Sequence, residues 1–165
     1  MAELCAREVW EQVVAAMGRS DWGGVLKWEG CMEELMDGQT DSTCASTLQM
    51  FARAHMCTGT RTHALAAARL LRRRIDLLSK MQRFRDMGKV MCDLAETLQI
   101  AEQPHEAAKC LERARSVGEE HGFFSVECRA CKGLGDQAIA EGRHDDAVQL
   151  LQNALAAVQP LNPRT

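Results

Sequence analysis

The sequence predicts an all-α chain of four antiparallel helix pairs stacked into a solenoid, and three observations predict it. Apolar residues recur at helical spacing almost from end to end, and clusters of Gly, Ser, Thr, Asp or Pro interrupt them at short intervals. One arrangement of small and large residues also returns about every forty positions. Composition agrees: Ala, Leu, Met, Glu, Gln and Arg are abundant, Tyr is absent and only 4% of residues are aromatic. That balance favours helices over strands. A chain of 165 residues fits one domain by length.

The breaks stand at Gly18 to Asp21, Asp37 to Ser42, Thr58 to Thr62, Glu102 to Pro104, Gly118 to Ser125 and Glu141 to His144. Helices are therefore predicted near 3–17, 21–36, 42–57, 61–79, 83–100, 105–120, 124–141 and 144–158. Paired, they give units over 3–38, 42–80, 83–121 and 124–159 inside one domain, 1–160, followed by a short tail, 161–165.

The clearest unit reads Cys131-x2-Leu134-Gly135-x2-Ala138, Gly142 at the turn, then Ala147-x3-Leu151 and Ala154, with Pro160 beyond. One level up, the same spacing gives Met91-x2-Leu94-Ala95-x2-Leu98, then Ala107-x3-Leu111 and Ala114. The two earlier units keep only small residues and turn glycines: Leu48-x2-Phe51-Ala52-x2-His55 with Gly59 and Ala64, and Trp10 with Gly18 and Gly23. The anchors Gly23, Ala64, Ala107 and Ala147 stand 41, 43 and 40 residues apart. Small residues at Gly135 and Ala147, or Ala95 and Ala107, would let two helix axes approach closely. Leu134, Ile139, Leu151 and Leu155 are expected to fill space within and between the pairs.

This pattern resembles the tetratricopeptide repeat, in a variety longer than the usual repeat of about 34 residues. The resemblance implies a right-handed α-solenoid whose first helices line a concave groove for an extended peptide or a partner helix. Carried over residue by residue, it directs Gln49, Arg53, Lys89, Cys92, Glu96, Arg129, Lys132 and Asp136 to that groove. Four of these are cations, which would favour an acidic ligand. Cys92 and Glu96 stand where the family's chaperone-tail clamp needs Lys and Asn, so that specialised role is not expected.

Net charge is −3, so the field of the whole molecule attracts neither nucleic acid nor an anionic membrane. The start of the chain has no basic segment leading into an apolar one, and Arg69 interrupts the most apolar run, so neither signal peptide nor membrane span is expected. The expected location is the cytoplasm. Eight cysteines are scattered through helical sequence and read as reduced, mostly buried thiols.

Local chemistry is weighed against plainer readings. Cys128-x2-Cys131, with His121 and Cys110, has the residue types of a zinc or redox site, but no second closely spaced ligand pair follows and no strand context is present. Buried structural thiols are the preferred reading, with no metal and no cofactor. His55 near Cys57, and Cys44 near Ser46, lack the strand-turn-helix setting of a nucleophile, so no catalytic residue is assigned. Arg69, Arg72, Arg73, Arg74, Lys80, Arg83 and Arg85 form a basic run that reads as a solvated face balanced by Asp76 and Asp86. Trp10, Trp22 and Trp28 either cap the core of the first unit or present an apolar anchor.

The expected function is a non-enzymatic adaptor or scaffold, holding its partner in the groove or on an end face. The alternatives are single-stranded RNA binding, a thiol- or zinc-dependent sensor, and a regulatory fragment of a larger protein. An uncapped solenoid end could also pair with its own copy.

Overall fold

The computed structural model describes residues 6–36 and 42–158. Within them the chain is helical, with no strand: α1 (Ala6–Gly18), α2 (Trp22–Leu26), α3 (Glu29–Leu35), α4 (Ser42–Thr58), α5 (Arg61–Lys80), α6 (Phe84–Ile100), α7 (Pro104–His121), α8 (Phe124–Ala140) and α9 (His144–Val158). From α4 onward each helix packs against the next, and α6 also lies beside α8. This sequential packing is that of an all-α solenoid. The expected helix start at 3, part of the turn over 37–42 and the tail 161–165 lie outside the described residues.

Local chemistry sets the ends. The Thr60 hydroxyl accepts the backbone N–H of His63 at 3.3 Å and opens α5, an N-cap that satisfies a donor the helix cannot. Pro104 begins α7, where its missing N–H costs nothing. Gly122, at φ 68°, stops that helix in the left-handed conformation. The turns after α1, α5 and α6 reach the same conformation on Ser20, Gln82 and Glu102.

The single helix expected over 21–36 is instead two short ones, broken at Lys27 and Trp28. Gly23, Gly24 and Gly30 crowd this segment, and each weakens a helix by about 1 kcal/mol relative to alanine. Asp21 compensates locally, its carboxylate accepting the N–H of Gly24 at 2.9 Å. The first unit is thus three helical pieces, and α4 with α5, α6 with α7, and α8 with α9 are the regular pairs. Trp22 and Trp28 pack against the core, whereas Trp10 is 39% exposed.

One apolar strip runs from Val9 to Leu134, with Leu48, Phe51, Leu70, Leu78, Met91 and Leu98 fully buried in it. The small residues expected between paired helices are there: Ala95, Ala107 and Ala147 are buried, and a Cβ at Gly135 would stand 3.1 Å from Leu151 and 3.7 Å from the Ala147 carbonyl oxygen. The expectation holds for Leu151, which packs against Gly135 of α8 although it is 38% exposed, and needs correction for Ile139 and Leu155. Ile139 and Leu155 are 48% and 62% exposed, and Val148 of α9 is exposed as well.

Candidate functional site

α4, α6 and α8 present their side chains toward two neighbouring cavities with the same plan. One, of about 310 Å³, lies between α6 and α8 with Leu111 of α7 at its floor; it is lined by Cys92, Glu96, Gln99, Arg129, Lys132 and Asp136 among others. The other, of about 340 Å³, lies between α4 and α6 over Leu71 of α5, and Gln49, Arg53, Met56, Asp93 and Glu96 line it. Glu96 borders both, so the two cavities lie side by side as a furrow across α4, α6 and α8.

Seven of the eight residues directed to a groove line this furrow. Lys89 does not: it is exposed on α6 but borders neither cavity. Asp93 belongs to the site and was missed, although Lys89, Cys92, Asp93 and Glu96 share one helical face by the i, i+3, i+4, i+7 rule. Gln99 continues that face and was missed as well.

The furrow's charges are largely matched within it. Arg129 reaches from α8 to α6, donating to Asp93 Oδ1 at 2.8 Å and to Glu96 Oε1 at 2.7 Å. Burial disfavours its charge, but the hydrogen bonds to Glu96 and Asp93 outweigh this and raise its pKa above the ordinary arginine value. Lys132 donates to Asp136 at 2.7 Å, one helical turn away, which raises its pKa too. Gln49 accepts a hydrogen bond from Arg74 of α5, whose pKa burial pulls below its ordinary value. Arg53 is exposed and has no ion pair with a described residue.

Burial holds three of the thiols, Cys92, Cys110 and Cys131, in their unreactive form. Burial pushes Cys92 up to about 11, and it also raises Cys110 and Cys131, so each remains a neutral thiol near pH 7. Alkylation at about pH 8 should therefore modify exposed Cys31 and Cys57 in the native chain, and Cys92 and Cys131 only after denaturation. Mass spectrometry of digests reads this; Cys92 labelling as fast as Cys57 would contradict it. His121 does not join Cys128 and Cys131 in a ligand set. Its ring stacks on Phe84 at 4.6 Å and on Phe123 at 5.5 Å, and among the described residues no three His, Cys, Asp or Glu side chains converge on a metal position.

The basic run disperses in three dimensions. Arg69 pairs with Glu29 and Glu33 of α3, Arg74 meets Gln49, Arg83 pairs with Asp86, and Arg72 borders a separate cavity with Cys110 and Arg113. No described helix is long and apolar enough to cross a membrane.

No protein-family model matches the chain, and no curated protein matches it in sequence.

Proposed function

We propose that this chain is a non-enzymatic, tetratricopeptide-like adaptor or scaffold of the cytoplasm that holds an extended peptide or partner helix along the furrow of α4, α6 and α8. The observation that carries this reading is the furrow's repeating construction: two cavities of one plan, about 40 residues apart in sequence, sharing Glu96. Each cavity is at the small end of the range for ligand pockets, roughly 300–1,000 Å³. Each has a mixed polar lining, which suits one or two side chains of a longer segment better than a compact metabolite. The unbridged thiols Cys31, Cys57, Cys92, Cys110, Cys128 and Cys131 accord with a reducing compartment.

The charge pairing refines the partner's chemistry. Arg129 and Lys132 already have carboxylates, so an acidic group would have to displace Asp93, Glu96 or Asp136 to reach them. Arg53 offers its charge without that competition, and a partner's Asp or Glu is best placed beside it. The same pairing weakens the case for single-stranded RNA, which needs free cations and stacking aromatics along its track.

A second location for a partner is favoured by the exposed apolar side chains of Ile139, Val148, Leu151 and Leu155. Affinity capture with the full chain, Arg53→Glu and Leu155→Lys separates the two. A furrow-bound partner should be lost about tenfold or more with Arg53→Glu alone. A partner lost only with Leu155→Lys sits on the end face, and capture unaffected by either substitution contradicts both.

A further inference from the structure

His55 of α4 is only 6% exposed, and both of its ring nitrogens are engaged. Nε2 lies 2.8 Å from Glu29 Oε2 on α3, and Nδ1 lies 2.7 Å from Nδ1 of His63 on α5. The two ring centroids are 5.0 Å apart, which matches the nitrogen separation plus two ring radii. The facing nitrogens therefore point at each other along one line. That is the geometry of a shared proton; in chelation, two lone pairs would converge at an angle on a third point.

Counting protons shows what this arrangement tolerates. The Glu29 carboxylate accepts from His55 Nε2–H, so a neutral His55 has a bare Nδ1 and accepts from His63 Nδ1–H. One further proton can settle on His63 Nε2 and leave the bridge intact. The next must place N–H on both facing nitrogens, which breaks the bridge and sets two cations in contact. The ion pairs linked to this bridge come from two helices. From α3 come Glu29 and Glu33; from α5 comes Arg69, 3.5 Å from Glu29 and 3.4 Å from Glu33. α2, which also packs on α4, has no ionisable residue. Arg69 competes for Glu29 and limits how far that carboxylate can offset added charge.

We propose that His55 and His63 form an acid-sensitive latch, which holds α3 against α4 and α5 near neutral pH and releases it on acidification. α3 has seven residues, too few to persist as a helix once detached. Its polar ties to the body run from Glu29 to His55 and Arg69, and from Glu33 to Arg69. Its apolar ties are Met32 and, just beyond its end, Met36. The latch's opening would free Glu29 and Glu33 from His55 and Arg69, while α2 stays packed on α4.

Hydrogen exchange on the full chain tests this at about pH 7.5 and 5.0, after correction for the intrinsic pH dependence of exchange. In the wild-type chain, amides over 22–36 should lose protection by about tenfold or more relative to those over 84–121. His63→Asn should keep its protection at both pH values, because the asparagine amide can donate to a bare Nδ1 and, turned over, accept from a protonated one. Wild-type protection that does not change, or an equal loss in His63→Asn, overturns the latch. Should His63→Asn be unprotected already at neutral pH, imidazole 15N signals of the wild type decide. Facing Nδ1 atoms that share one proton at neutral pH and are both protonated in step with loss of α3 protection support it; titration with α3 unaffected overturns it.

Discussion

Gly118→Val is expected to destabilise the folded chain by about 3 kcal/mol, read as a lower urea midpoint at unchanged slope. Gly118 lies within α7, and a Cβ there would stand 2.8 Å from the backbone nitrogen of Glu127 on α8 and 3.1 Å from its Cα. Backbone cannot swing aside as the tip of a side chain can, so the two helices must separate. Gly118→Ala weighs the competing effects directly. Alanine's helix propensity contributes up to about 1 kcal/mol, overpacking costs about 1–3 kcal/mol, and the close approach wins. At Gly30 on α3 nothing lies within 4 Å of the added atom, so Gly30→Ala should be neutral or stabilising by up to about 1 kcal/mol. Equal effects at the two glycines would mean that α7 and α8 do not touch there.

Phe51→Ala should cost more, about 3–5 kcal/mol. Phe51 is 1% exposed and is the largest fully buried side chain of the strip. The chain has few large residues to spread over any void, because much of its core is alanine. Against a total stability of about 5–15 kcal/mol, that loss is a large share and should appear as a much lower melting temperature. Phe124→Ala is the matched control: Phe124 is 41% exposed, and its removal should cost less than about 0.5–1 kcal/mol. Comparable losses from both would place Phe51 outside the core.

Much of the helical layout was legible in the order of residues alone. Thr60, Pro104 and Gly122 are residue types whose backbone preferences announce helix ends, and the helices beside them begin and end within a residue or two of expectation. The break in 21–36 was harder to see. Trp22, Val25, Met32 and Met36 keep an apolar spacing that suggests one helix, while three glycines quietly oppose it. The turn after α5 carries its left-handed residue on Gln82, a type with no special preference for that conformation, so no glycine marks it. At the furrow, helical spacing brought seven of the expected side chains to one surface. It could not show that Arg129 would be claimed by Asp93 and Glu96, because that depends on how far α8 stands from α6. Ile139 and Leu155 were expected to fill space within and between the pairs from their place in the repeat; which way each side chain faces depends on how α8 and α9 meet, and apolar spacing within each helix cannot reveal that.

Because α4 through α9 each pack chiefly on their immediate neighbours, no single centre holds the molecule together. Cohesion is a row of pairwise couplings, and losing one terminal coupling leaves the others intact. The chain should therefore come apart like a zip from its margins inward, with the short glycine-rich pieces before α4 and the alanine-lined seam of α8 and α9 opening before the middle. The furrow's two cavities lie between those margins, walled by α4, α6 and α8.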